Sequence, residues 1–349
     1  MAELFEVKDV DRRVYAESLR DFLPERIIDV HTHVWKAEHQ KIGPDAFSRV
    51  VSWPSRVAND NPVEDLVEGY LLLFPGKTVV PLMFSSVYDA ESMPAMNAYV
   101  SECAARMKFP ALIYAHPTWS GPDLEKGIKA GRFLGAKVYL NLSPSYLPQK
   151  EIRIFDFLPP HQLDVLNRNG WVAMLHIPRD GRLRDPVNLA QMLEIERNWP
   201  RVRLIIAHMG RAYCDEDMGD AFKVLSVTKN MVFDFSANTN DHVFEAALRA
   251  FGPGRCLFGS DMPITWMRMR RICEGGRYVN LVPRGKYGDV SGDRNMREVG
   301  GPEAERLTTF MYEELLAIKR ACARAGADRR GVEAIFRTNA ERVLGWRMP

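Results

Sequence analysis

The sequence predicts an α/β chain folded as a (β/α)8 TIM barrel, and three observations carry that expectation. Eight short apolar runs rich in β-branched or aromatic residues lie at 27–34, 78–85, 111–118, 135–142, 171–178, 202–210, 231–237 and 256–263. Most are separated by enough chain for a helix. Such alternation implies parallel strands joined by right-handed crossovers, and eight repeats is the number that closes a barrel. Polar residues also gather where the runs end, which is where a barrel does its chemistry. An open, doubly wound sheet shares the alternation and is the competing architecture.

The first run ends Ile27-Ile28-Asp29-Val30-His31-Thr32-His33. Side chains at i and i+2 of a strand point the same way, about 6.6 Å apart, so two imidazoles there can hold one metal ion. Such a short spacing also arises by chance, and the rest of the chain has to decide. The third run reaches His116, the fourth carries Lys137 and Tyr139, the fifth closes on His176, the sixth on His208 and the eighth on Asp261. Helical apolar spacing is readable at 93–107, 121–132, 161–169 and 188–199, with Pro or Gly near several boundaries.

Two stretches break the rhythm, 35–77 after the first run and 264–301 after the eighth, and in a barrel both lie over the catalytic face. The second contains Gly275-Gly276, Pro283-Arg284-Gly285 and Gly288 and reads as one long loop. Closing helices are expected over 302–325 and 330–345, the first with Leu307, Phe310, Met311, Leu315 and Ile318 at helical spacing.

With 349 residues and 46% hydrophobic content the chain can bury a large core, and it reads as one domain over 1–349. A formal charge of +2 gives no global bias toward nucleic acid or a membrane surface. The five cysteines, Cys103, Cys214, Cys256, Cys273 and Cys322, are scattered and never form C-x-x-C, which argues against a disulfide framework and for a reducing cytoplasm. The first residues are strewn with charges, without the apolar core of a signal peptide, and no stretch reaches the about 18 apolar residues of a membrane span.

Five of the eight histidines, His31, His33, His116, His176 and His208, thus share one topological level with Asp261. Neutral imidazoles with a carboxylate make a mixed N/O donor set suited to Zn²⁺ and acceptable to Mn²⁺ or Fe²⁺.

In this combination and order, Ile28-Asp29-Val30-His31-Thr32-His33, His176, Ile206-Ala207-His208-Met209-Gly210, Leu257-Phe258-Gly259-Ser260-Asp261-Met262-Pro263 and Asn339-Ala340-Glu341-Arg342 resemble the amidohydrolase superfamily. The resemblance is to its amidohydrolase-related (amidohydrolase-2) branch of metal-dependent hydrolases and decarboxylases, and it runs over nearly the whole chain. It implies that His31, His33, His176 and Asp261 approach one metal, that Asp261 also shuttles the proton, and that His208 orients or polarises water or substrate. In two-metal relatives a strand-four lysine is carboxylated and bridges two ions, a role Lys137 resembles; a single metal is the favoured expectation. The resemblance further allows a homodimer.

Arg179, Arg182 and Arg211 follow the fifth and sixth run ends, where a guanidinium fork can receive a substrate carboxylate. Arg179, Arg211, Tyr139 and His116 are therefore the candidate substrate contacts, and the substrate is expected to be a small anionic molecule. Asp29 and Asp234 are candidates for orienting a ligand from behind, whereas His39, His161 and His242 read as solvent-exposed. The leading expectation is hydrolysis of a carboxylated lactone or amide by metal-activated water. The alternatives are non-oxidative decarboxylation of an aromatic or enoic acid with the same ligands, and a silent barrel acting as a binding protein, against which the intact ligand set argues.

Overall fold

The computed structural model describes residues 6–40, 56–86 and 89–349. Eight parallel strands occur in chain order: β1 (Arg26–His33), β2 (Thr78–Phe84), β3 (Ile113–Tyr114), β4 (Gly135–Val138), β5 (Val172–Leu175), β6 (Arg203–Ile206), β7 (Val232–Asp234) and β8 (Cys256–Leu257). Seven fall inside their expected runs, and β1 begins one residue before its own. Most are shorter, because the run ends leave the ladder and turn into loops.

The strands form two hydrogen-bonded sheets, β1–β2 and β3 through β8 in sequential order. Among the described residues no continuous ladder closes them into one ring, so the expected alternation and parallel strands are present and a closed barrel ladder is not. Single parallel bridges, Thr32 to Met262 and Met83 to Ala111, link the two sheets at both edges. The first edge is reinforced by Val30 N–H donating to Phe258 O at 3.0 Å and Asp261 N–H donating to His31 O at 2.7 Å. A register shift between Asp29 and Thr32 breaks the alternation of β1 just where the histidines begin.

Both faces of the sheets are buried, as parallel strands under crossover helices require. Val172 and Met174 pack with Ile28, Val30, Ile205, Val232 and Leu257 and with Ala340, Val343 and Leu344 of the terminal helix. The alternate residues Ala173 and Leu175 belong instead to the cluster that includes Leu163, Leu166, Met192 and Ile195 of the flanking helices. Those helices run over Met93–Met107, Gly121–Ala130, Pro160–Asn169, Pro186–Asn198 and Asp241–Phe251. Ser120 caps one, its Oγ accepting from Asp123 N–H, and Asp185 caps another through the amides of Val187 and Asn188.

Three features depart from expectation. The stretch 264–301 is not one long loop but carries a separate three-stranded sheet of β9 (Arg270–Glu274), β10 (Arg277–Pro283) and β11 (Met296–Val299), with β10 central. Gly275 and Gly276, both left-handed, make the two-residue turn between β9 and β10. The first closing helix is broken into Gly301–Glu305 and Phe310–Ala325, and Cys214 and Cys273 form a disulfide despite their scattered positions. The other stretch, 35–77, contains helix Val63–Leu73, with residues 41–55 outside the described part. No helix among the described residues is long and apolar enough to cross a membrane.

Candidate metal centre

One ligand atom each from His31, His208 and Asp261 lies within 4.8 Å of the others. His31 sits near the end of β1, His208 two residues past β6 and Asp261 four past β8. His33 joins through the same carboxylate oxygen, its Nε2 3.2 Å from Asp261 Oδ1, which is 3.5 Å from His31 Nε2. His176, directly after β5, is adjacent rather than inside this group: its ring centroid is 5.1 Å from that of His208, and its buried Nδ1 has no hydrogen-bond partner among the described residues.

The opposite edges of the rings are anchored. His31 Nδ1 donates to Asp234 Oδ2 at 2.9 Å, His33 Nδ1 to the Ser85 carbonyl at 3.1 Å and His208 Nδ1 to the Ser236 carbonyl at 3.0 Å. An imidazole that gives its Nδ1 proton away presents Nε2 as a lone pair, the arrangement that metal-binding histidines use. Asp234 also accepts the amide of His208 through Oδ1 at 2.8 Å, so one carboxylate from β7 positions two histidines. Asp29, by contrast, reaches no ring; it accepts the amides of His31 and Ser260 and the Tyr70 hydroxyl, pinning β1 to the chain beyond β8.

The backbone here is strained. His208, Met209, Gly210 and Arg211 are all left-handed, with φ of 55°, 49°, 62° and 58°, and so is Asp261 at 62°. Left-handed geometry costs about 1–2 kcal/mol for each non-glycine residue, and such outliers collect at functional sites. The turn is held by Arg211, whose Nη1 donates to the carbonyls of Ile177, Pro178 and Arg179 at 3.3, 3.0 and 3.2 Å.

Electrostatics separates the donors by type. Burial, then the fields of Lys137 and His208, holds His31 well below the usual imidazole range, and burial with neighbouring cations does the same to His176. Burial also lowers His208. For Asp261 burial pushes upward, but the His33 hydrogen bond and the fields of His208 and His31 outweigh it and bring the carboxyl down to about 2. Neutral imidazoles beside an ionised carboxylate are the protonation states that a divalent cation requires.

Lys137 is buried, with Nζ 3.5 Å from His31 Nε2 and 4.9 Å from the Phe84 ring centroid, and burial lowers it to about 8. Tyr139 packs on His176 at 4.5 Å between ring centroids. His116 is engaged locally, with Nδ1 2.7 Å from Thr118 Oγ1. Arg179 pairs with Asp185 and Arg182 with Asp217, so two of the three arginines have carboxylate partners of their own. His161 and His242 are exposed and His39 is partly buried against Tyr99. Ser236, whose Oγ lies 3.1 Å from His31 Nδ1 and 2.9 Å from His208 Nδ1, was not singled out in the sequence; its place two residues past Asp234, at the same strand end, is the signal that marks it.

A profile of the amidohydrolase family matches residues 28–270, which includes every residue of this cluster. The chain belongs to the amidohydrolase family. It is thus an enzyme of the amidohydrolase superfamily. No curated protein matches the sequence. Among solved structures, a Pseudomonas putida protein assigned as a 2-pyrone-4,6-dicarboxylic acid hydrolase is similar with a TM-score of 0.54 at 14% identity, covering 94% of this chain and 100% of the other. The 5-carboxyvanillate decarboxylase of Sphingomonas paucimobilis gives 0.55 at 12% identity, covering 93% and 100%. A Burkholderia multivorans amidohydrolase crystallised with bound zinc gives 0.55 at 14% identity, covering 92% and 99%. At these identities the likeness concerns the fold this amidohydrolase shares with them.

Proposed function

We propose that this amidohydrolase is a metal-dependent hydrolase of a small carboxylated lactone or amide, built on a distorted (β/α)8 barrel that forms a single domain. The carrying observation is that His31, His33 and His208 each spend Nδ1 on an anchor and turn the other ring edge toward Asp261. With His176 drawn in from its place beside His208, these groups fit one divalent cation, zinc in preference to manganese or iron, held by His31, His33, His176 and Asp261 with His208 alongside. When bound, such an ion lowers the pKa of water and polarises a carbonyl.

The chain's own groups supply the rest. Asp261, kept ionised, accepts the proton of the attacking water and passes it to the leaving group. His208, whose Nε2 presents a lone pair, accepts a hydrogen bond from the attacking water and orients it. Arg179, Arg211, Tyr139 and His116 surround an anionic substrate. Lys137 beside His31 stabilises negative charge as an uncarboxylated ammonium, without carrying a second ion.

The same residues also serve decarboxylation, with Asp261 taking a proton from water and relaying it to the carbon that CO₂ leaves, and the likeness to a decarboxylase supports that reading. Zinc-loaded protein assayed against 2-pyrone-4,6-dicarboxylate, aliphatic and aryl lactones, N-acyl amino acids and 5-carboxyvanillate in ¹⁸O-water separates the two. Label in the product supports hydrolysis; release of CO₂ without label replaces it by decarboxylation.

A further inference from the structure

Cys214 lies three residues beyond Arg211 and six beyond His208, buried with Ala237, Ile264, Met267 and Tyr278. Its partner Cys273 is on the exposed strand β9, with Cα atoms 5.9 Å apart across the disulfide. Among the described residues the β9–β11 sheet shares no ladder with the central strands, so this bond is its covalent tie to the loop that carries His208.

The hairpin so tied borders the metal centre. Tyr213 packs edge-on against Tyr278 of β10 at 5.0 Å. Arg271 of β9 has its guanidinium 4.9 Å from the Tyr213 ring and 4.6 Å from the Tyr278 ring, and donates to Ala237 O at 2.6 Å, one residue beyond Ser236. Tyr139, packed on His176, is within electrostatic reach of Arg211, Tyr213, Asp261 and Tyr278, so one tyrosine lies near both the β10 side and the centre.

We propose that the Cys214–Cys273 disulfide is a redox clamp that holds the β9–β10 hairpin against the rim of the metal centre and is opened by a dithiol reductant. The consequence for the site rests on the metal-centre reading; the clamp itself does not. A thiolate of the dithiol attacks the sulfur of exposed Cys273, the S–S bond breaks, and Cys214 leaves with the electron pair and is protonated. The second thiol of the reductant then displaces Cys273 as a thiol, and the reductant departs as its cyclic disulfide. Two electrons reach the protein, which keeps noncovalent contacts across the seam, among them those of Arg271, Tyr213 and Tyr278.

The test uses the full zinc-loaded chain, oxidised, treated with dithiothreitol, and as Cys273→Ser. Alkylation after denaturation should count three thiols in the oxidised protein and all five after reduction. Hydrogen exchange over 211–214 and 270–283 should accelerate at least tenfold on reduction, while β1 stays unchanged, and dipicolinate should strip zinc at least threefold faster. Cys273→Ser should behave as the reduced protein with or without dithiothreitol. Five thiols before reduction, unchanged exchange after complete reduction, or equal acceleration in β1 would each overturn the clamp. A chain that binds no zinc refutes the proposed function instead, and the exchange contrast still decides the clamp.

Discussion

Asp234 Oδ2 lies 2.9 Å from Nδ1 of His31, with both side chains buried. The last residue of β7 therefore fixes the tautomer and orientation of a histidine on β1, while its other oxygen holds the amide of His208. Carboxylates of this kind behind a ligand are worth about 10–100-fold in metal affinity. Asp234→Asn should weaken zinc binding by about that factor, read by competition with a chromophoric chelator. Unchanged affinity would show that Asp234 merely fills space.

Gly259 packs so closely on the site that an added Cβ would come 2.8 Å from His31 Cβ and 3.4 Å from Ser236 Cβ. Neither neighbour is a flexible chain end, so Gly259→Ala must displace His31 or the 234–236 turn. Misplacement of about 1 Å at a reacting site costs on the order of 10²-fold. The variant is expected to stay folded by circular dichroism, lose turnover by about that factor and hold zinc more weakly.

Arg211 offers a stability test. Its Nη1 serves three carbonyls of the loop after β5 and braces a left-handed turn. Arg211→Ala should destabilise the metal-free protein by about 2 kcal/mol, measured by urea unfolding. If Arg211 also receives a substrate carboxylate, KM should rise for carboxylated substrates and not for their methyl esters.

Glu314 is fully buried on helix Phe310–Ala325, with its carboxyl facing the backbone of Ala237. Burial first, then the charges of Asp29 and Asp234, raises it well above the usual value of 4.5. The folded state therefore binds this proton more tightly than the unfolded chain. Its contribution is present at low pH and is lost as pH climbs from the unfolded value of 4.5 through the raised folded one. The buried histidines have the opposite slope below about pH 6.5, so the group has to be isolated by substitution. The Tm of Glu314→Gln minus that of the parent should grow with pH from about 5 upward, by about 2 °C or more. A flat difference would remove Glu314 from the pH dependence.

Much of the fold was legible because its signals are local. The apolar runs mark all eight central strands, and the helix expected over 93–107 forms as Met93–Met107. The convergence of His31, His208 and Asp261 followed from where each stands relative to its strand end. What escaped depends on contacts distant in sequence. Cys214 and Cys273 are separated by 59 positions, and nothing local pairs them. The β9–β10 hairpin was hidden because Gly275-Gly276 reads as a break in a loop, whereas two left-handed residues between short strands form the turn itself. The irregular linkage of β1–β2 to the other six strands turns on single bridges that periodicity does not encode.

The proposed chemistry requires His31, His33, His176 and Asp261, with His208 beside them, to hold one catalytic cation. Metal analysis by plasma mass spectrometry, on protein purified without chelators, should find about one divalent ion per chain. His31→Ala and Asp261→Asn should each lose both the ion and turnover while keeping the parent's circular dichroism. Full turnover or undiminished metal in either variant would contradict the account, and two ions per chain with Lys137 heavier by one CO₂ would replace its single-metal centre.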